Sequence, residues 1–247
     1  MPFAAAVFDV DGVIVDSPHE QAWREALQGF ADPKRFTTAI YQAYVAGKPR
    51  LMGARAALEQ LGVPDAENRA VQYAEQKQKR ILDLIEARCF VIFPDALRFI
   101  RGVRARGLRV AVASSSKNAN RMMELIRVGP KETLLDLFDA NLCGRDVRRG
   151  KPDPEIFLLA AAQLGITPSS CFVVEDAPAG IHAAKAAGMT ALGVARHEDT
   201  ALLQVAGADL VVSSLDDVAI DALPGSRLAH GSSKGTATDA ARAGAHQ

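Results

Sequence analysis

Phe3-Ala4-Ala5-Ala6-Val7-Phe8-Asp9-Val10-Asp11-Gly12-Val13 is a short apolar run that ends in two carboxylates, one residue apart, on a glycine. Residues i and i+2 of a strand share a face, so Asp9 and Asp11 are expected to project together where the strand stops. Open α/β sheets bind ligands beyond the carboxyl ends of their strands, which makes this a place to hold a divalent cation and do chemistry. Ordinary turns and calcium loops carry similar acidic stretches, so taken alone the segment leaves both readings open.

Further strand-like runs recur at residues 108–113, 138–142, 171–175, 191–194 and 210–212. Helical patterns at 96–106, 118–128, 155–164 and 179–187 separate most of them, and Gly107, Gly165 and Gly188 stand where helices should stop. Strands alternating with helices predict an α/β fold with a doubly wound parallel sheet and right-handed crossovers. Residues 17–90 break the rhythm, with helical stretches near 19–30, 36–46, 51–61 and 66–87 and no convincing strand. They read as an inserted α-helical cap domain lying over Asp9 and Asp11, which leaves 1–16 and 91–225 as the core. Pro94 marks the return to it. Residues 226–247 are rich in Ala, Gly, Ser and Thr, with Leu228 as the one large aliphatic, and are expected to form a disordered tail.

Composition narrows the function classes. The 29 basic and 29 acidic residues cancel, which argues against an electrostatic grip on nucleic acid or an anionic membrane. Cys89, Cys143 and Cys171 are widely spaced and odd in number, as suits a reducing compartment. No run approaches the roughly 20 apolar residues of a membrane span, and the N-terminal stretch lacks the form of a signal peptide. A cytoplasmic protein acting on a small molecule is expected. His182, His197 and His230 have no partner pattern and read as structural or surface residues.

Three more polar segments fall at the ends of later strands. Ser114-Ser115-Ser116-Lys117-Asn118 follows the run at 108–113. Lys151 sits in Gly150-Lys151-Pro152-Asp153-Pro154, before a helix, and Glu175-Asp176 ends the run at 171–175. A serine turn, a solvated lysine or an acidic helix start is commonplace singly. All of them in this order, each at the active edge of a sheet, point to one site.

The order resembles that of the haloacid dehalogenase-like (HAD) superfamily over about residues 3–222. That resemblance implies a Rossmann-like core and phosphoryl transfer through an aspartyl phosphate. Mapped by motif, Asp9 is the nucleophile and Asp11 the general acid/base. Ser114 binds the transferring group with its hydroxyl and backbone N–H, and Lys151 neutralises charge on it and on Asp9. Mg²⁺ is held by Asp9, Glu175, Asp176 and the backbone carbonyl of Asp11. The physics agrees: crowded carboxylates need a cation, and attack by a carboxylate on an anionic ester needs screening. Relatives that cleave carbon–halogen or carbon–phosphorus bonds generally lack an aspartate at the position of Asp11, so its presence implies phosphate ester chemistry.

The cap is similar to that of β-phosphoglucomutases. Arg50, in Gly47-Lys48-Pro49-Arg50, matches a Gly-x-x-Arg at a cap helix start, and Lys77, in the basic cluster with Lys79 and Arg80, matches a cap lysine. His19 and Trp23 fit the first cap helix. Ser116 and Asn118, with Ser115 beside them, are expected to contact the distal phosphate or sugar. One departure stands out: only Pro18 separates Ser17 from His19, a linker about two residues shorter than in such relatives, which puts cap closure and the role of His19 in question. The resemblance favours a mutase using glucose 1,6-bisphosphate as activator. A sugar phosphate phosphatase is the alternative, and a non-catalytic phosphate-binding protein the remote one.

Overall fold

The computed structural model describes residues 2–197, 199–225 and 227–231 of the 247-residue chain. Strand β1 (Ala5–Phe8) opens the core, and a turn over Val10 and Val15 leads into β2 (Val15–Asp16). The cap follows as α1 (His19–Glu25), α2 (Thr38–Ile40), α3 (Arg50–Gln60) and α4 (Ala66–Glu86). β3 (Val91–Ile92) returns antiparallel to β2, pairing Val15 with Ile92 and Asp16 with Val91. The cap thus leaves and rejoins the core through one short two-stranded ribbon. The core continues as α5 (Pro94–Ala105), β4 (Arg109–Val112), α6 (Ala119–Leu125), β5 (Ala140–Asn141) and α7 (Glu155–Leu164). It closes with β6 (Cys171–Glu175), α8 (Pro178–Ala186), β7 (Thr190–Val194), α9 (Thr200–Val205) and β8 (Leu210–Val212).

Among the described residues the large sheet has the order β5-β4-β1-β6-β7-β8, and every pairing in it is parallel. Strands covered on both faces should be continuously apolar, and all four residues of β1 are buried. Alternation divides them between two cores. Ala6 and Phe8 pack with Phe99, Ile100 and Val103 of α5, whereas Ala5 and Val7 pack with Phe157 of α7 and Ile181 of α8. The cap has an apolar cluster of its own, with Trp23, Leu27, Phe36, Leu58 and Tyr73 at its centre. Tyr73 keeps its hydroxyl satisfied there by donating to the Trp23 carbonyl at 2.8 Å.

Several expected elements are shorter than their sequence patterns. The first cap helix ends at Glu25 rather than near residue 30, and its chain turns at Gly29 with φ +89°. The expected helix over 36–46 is two pieces: α2, then a wider π turn over Tyr41–Val45, closed by Ala46 N–H donating to the Tyr41 carbonyl at 2.8 Å. α6 stops at Leu125 because Ile126 turns extended (ψ 115°), so that its carbonyl accepts from Leu134 N–H. The tail is also corrected at its start. Ala219 N–H donates to Ala229 O at 2.8 Å, Gly231 N–H donates to Asp217 O at 2.7 Å, and Leu228 packs against the core. Residues 226 and 232–247 of the expected tail lie outside the described residues.

Candidate active site

β1 stops at Phe8, so Asp9 and Asp11 are not two residues of one strand face as expected. Asp9 continues the edge by donating its N–H to Val174 O at 3.0 Å, and the chain then turns, with Gly12 at φ +85°. The turn delivers both carboxylates to one cavity of about 180 Å³ beneath the cap. The walls from the core are Asp9, Asp11, Ser114 to Asn118 and Asp176, and those from the cap include His19, Trp23, Tyr41, Arg50, Lys77 and Gln78.

Lys151 lies fully buried behind Asp9. Its Nζ donates to Asp9 Oδ1 and to Glu175 Oε1, each at 2.5 Å, and sits 4.9 Å from the centre of the Phe157 ring. Burial opposes its charge, but Asp9 and Glu175 outweigh burial and hold the ammonium above its ordinary pKa. The carboxylates feel the same competition from the other side. Burial raises Asp9 despite Lys151, and burial pushes Glu175 up to about 7. Glu175 Oε2 also accepts from the N–H groups of Asp176 (3.1 Å) and Ala177 (3.3 Å). Both oxygens of this expected metal ligand are therefore already engaged.

One oxygen each from Asp9, Glu175 and Asp176 lies within 4.8 Å of the others, and all three residues are buried. Burial, then Glu175 and Asp9, push Asp176 well above the usual carboxylate range. The backbone is shaped around these groups. A Cβ on Gly12 would lie 1.9 Å from Asp176 Oδ2, and one on Gly180 would lie 1.9 Å from Glu175 Oε1. An all-oxygen set of mutually repelling carboxylates suits Mg²⁺, so the residues present fit that ion.

Asp11 faces the cavity from the opposite side. Ser114 Oγ donates to its Oδ2 at 3.3 Å, and His19 Nε2 lies 3.4 Å from Oδ1. Burial raises the Asp11 pKa against the lowering pull of a hydrogen bond from Ser17. Ser114 Oγ also accepts from Ser116 N–H at 3.1 Å, and Ser116 Oγ accepts from Asn118 N–H at 3.2 Å. Ser115 points elsewhere, donating to the Gly47 carbonyl of the cap at 3.2 Å.

The short linker does not carry His19 out of the site. Pro18 caps α1, and His19 is buried with Nδ1 2.6 Å from Lys77 Nζ and Nε2 3.2 Å from Ser116 Oγ. With Nδ1 accepting from the lysine, Nε2 carries the proton. Burial, then Lys77, hold the imidazole well below its ordinary pKa. Lys77 is itself lowered to about 7, by burial and then Arg50, with Asp11 opposing. Trp23 contributes its face, 5.0 Å from Lys77 Nζ. The rest of the expected basic cluster faces away: Lys79 is exposed and Arg80 pairs with Glu25. Arg50 lines the cavity but is exposed, with Nη1 donating to Gln78 Oε1. His182, His197 and His230 are all exposed and lie away from the cavity.

Two lining residues carried no sequence signal. Tyr41, the first residue of the π turn, lines the cavity, where burial, then Asp176 and Asp11, hold its phenol well above the ordinary pKa. Gln78 is legible only as the neighbour of Lys77. A third feature is Gly150, where a Cβ would lie 2.1 Å from Pro49 Cγ of the cap.

A parallel α/β core that gathers buried Asp9, Lys151, Glu175 and Asp176 at the carboxyl edge of its sheet has the make-up of a phosphoryl-transfer enzyme. The chain belongs to the haloacid dehalogenase-like hydrolase family, whose sequence profile matches residues 3–188. Within it, the chain falls in the β-phosphoglucomutase-like subgroup. It is 28% identical to the β-phosphoglucomutase of Bacillus subtilis, covering 89% of this chain and 93% of that one. It is 34% identical to the fructose-1-phosphate phosphatase of Escherichia coli, covering 78% and 96%. The crystal structure of a β-phosphoglucomutase from Pyrococcus sp. strain ST 04 superposes with a TM-score of 0.71 at 32% identity, covering 90% of this chain and 99% of that one. Both mutases and phosphatases of sugar phosphates are thus among its homologues, and the reading of a non-catalytic binder falls away.

Proposed function

We propose that the protein is a cytoplasmic sugar phosphate mutase of the β-phosphoglucomutase type. The observation that supports this reading is that Arg50 and Lys77 of the cap line the same cavity as Asp9 and Asn118 of the core. A hydrolase needs one phosphate site, whereas a mutase must also grip the phosphate it is not transferring. Guanidinium, ammonium and carboxamide donors suit that second anion.

In the first half-reaction an Asp9 carboxylate oxygen bonds to phosphorus as the phosphorus–oxygen ester bond breaks. Asp11 gives its proton to the leaving oxygen. With the bisphosphate as donor a sugar monophosphate leaves; in the second half-reaction Asp11 takes the proton of the free hydroxyl of the monophosphate then bound, which attacks phosphorus, re-forms the bisphosphate and frees Asp9. Ser114 orients the transferring group through its hydroxyl and N–H, and Lys151 balances its charge against that of Asp9. Asp9, Asp176 and the Asp11 carbonyl would hold Mg²⁺, with Glu175, whose two oxygens already accept from Lys151 and the backbone, adding negative charge beside them; when bound the ion screens the anionic charge of phosphate and nucleophile. His19 and Lys77 tie Asp11 to the cap, so that the acid/base is in place only when the cap is closed.

A phosphatase is the second reading, favoured by the 34% identity to the fructose-1-phosphate phosphatase. A phosphorus NMR time course with Mg²⁺, β-glucose 1-phosphate and catalytic glucose 1,6-bisphosphate separates the two. Glucose 6-phosphate without inorganic phosphate is the expected result. Inorganic phosphate as the main product would overturn the mutase and leave the hydrolase.

A further inference from the structure

Gln78 follows Lys77 on α4 and lies on the seam between cap and core. Its side-chain oxygen Oε1 accepts from Arg50 Nη1, on α3 of the cap. The same oxygen lies 3.4 Å from Asn118 Nδ2, which donates to it from the core, while Gln78 Nε2 donates back to Asn118 Oδ1 at 3.1 Å. One neutral oxygen therefore sits where a guanidinium and a carboxamide from two different domains converge. Arg50 has no acidic partner among the described residues, although an arginine fork is built to meet an anion with several oxygens.

We propose that Gln78 is an internal placeholder in the distal-anion subsite, and hence a specificity-determining residue. Its amide oxygen holds Arg50 and Asn118 together in the closed, ligand-free enzyme, and the second anionic group of the substrate displaces it. This rests on the reading above that Arg50 and Asn118 receive the distal phosphate. An uncharged occupant is required for the exchange to run forward. A phosphate oxygen makes charge-assisted bonds roughly twice as strong as those of an amide, so it displaces glutamine. A carboxylate of the same length would make charge-assisted bonds of its own, stay on Arg50 and repel the ligand.

The test compares Gln78→Glu and Gln78→Ala with the unaltered protein, using two phosphoryl donors. Glucose 1,6-bisphosphate carries the distal anion, and acetyl phosphate has one phosphoryl group and none. Donor consumption is followed, so the readout is the same whether water or a sugar then attacks the phosphorylated enzyme. Gln78→Glu is expected to raise the half-saturating concentration of the bisphosphate by about tenfold or more, with kcat within about twofold and acetyl phosphate unaffected. Gln78→Ala removes the competitor and is expected to lower that concentration by about threefold, the scale of one net hydrogen bond.

The proposal is overturned if Gln78→Glu leaves bisphosphate saturation unchanged, or if both donors suffer alike, which is the mark of structural damage. It is also overturned if Gln78→Ala weakens the bisphosphate as much as Gln78→Glu does, since the amide would then be a ligand and not a placeholder. Arg50→Ala separates this failure from failure of the underlying reading. If Arg50→Ala weakens the bisphosphate while Gln78→Glu is silent, only the placeholder fails. If Arg50→Ala is silent as well, the distal subsite itself is wrong.

Discussion

Replacing Lys151 by methionine tests the electrostatic centre of the site. The ammonium is fully buried and bridges Asp9 and Glu175 at 2.5 Å each. Methionine keeps much of the volume and the contact with Phe157 but leaves two buried carboxylates facing each other. Breaking a buried pair by deleting one partner costs about 3–5 kcal/mol. At an m-value of about 3 kcal/mol per molar urea, that moves the midpoint down by about 1–1.7 M. Unfolding is followed by circular dichroism at pH 7.5 in EDTA, because a bound divalent cation would replace the missing charge. The sign of the pH dependence follows from linkage. Glu175 is already raised to about 7 with Lys151 present, and without it the carboxyl is raised further. The folded variant then binds more protons than the unfolded chain between the usual carboxylate range and the raised value. Its stability falls as pH rises through that window, so the deficit is expected to be smaller at pH 5.5 than at pH 7.5. Adding Glu175→Gln to the variant should return a large part of the loss. An unchanged midpoint at pH 7.5, or a deficit that grows on acidification, would refute the view that Lys151 balances these two acids. Turnover should fall by about 10²–10³ in the same variant, as for loss of one donor to a developing charge.

Other perturbations address the cation cradle, the cap and its seat. Gly12→Ala forces a Cβ to within 1.9 Å of Asp176 Oδ2 at φ +85°, so it should weaken Mg²⁺ binding as measured by calorimetry; unchanged affinity would mean Asp176 is not a ligand. Lys77, lowered to about 7 among His19, Asp11 and Arg50, is charged below that pH and neutral above it. The half-saturating sugar phosphate concentration should rise from pH 6 to pH 8, and Lys77→Met should flatten the rise by starting high. Because an unfolded lysine titrates at 10.5, the unfolded chain binds the extra proton between about 7 and 10.5, and this residue makes stability increase with pH there. Gly150→Ala places a Cβ 2.1 Å from Pro49 Cγ and should hold the cap ajar, raising the share of inorganic phosphate among the products while the core's melting temperature stays within a few degrees.

Much of the candidate site was legible because β1, β4 and β6 lead into Asp9, Ser114 and Glu175–Asp176, and parallel topology brings such ends to one edge. The reason first given for Asp9 and Asp11 was nonetheless wrong. Their convergence comes from the turn after Phe8, not from a shared strand face. Tyr41 stayed hidden because nothing in residues 36–46 marks it out from the other aromatic and aliphatic side chains of the stretch. The ordering of residues 227–231 rests on backbone hydrogen bonds to Asp217 and Ala219, and composition reports side chains only. The Ser17–His19 linker shows the converse: its length put the role of His19 in question, yet with Pro18 starting the helix at once, the imidazole reaches Asp11 at 3.4 Å.

The chemistry at phosphorus is common to a mutase and a phosphatase, so the difference between them has to lie in how completely the cap excludes water. The cap meets the core beside the residues that handle the phosphoryl group. Ser114 faces Asp11, while its neighbour Ser115 donates to the Gly47 carbonyl. Lys151 meets Asp9, while its neighbour Gly150 receives Pro49. Asp176 faces the cavity, while its neighbour Ala177 lies against Gly47, close enough that an added Cβ would approach it to 3.1 Å. Each of the three core loops thus sets one residue at the cavity or against Asp9 and an adjacent residue against the cap segment Gly47-Lys48-Pro49. Closure and completion of the site are consequently a single event. A side chain that props the cap open must disturb the seat of all three loops together, so on the proposed mechanism it is expected to slow formation of the aspartyl phosphate, with Asp11 out of place, and to admit water to the fraction that forms.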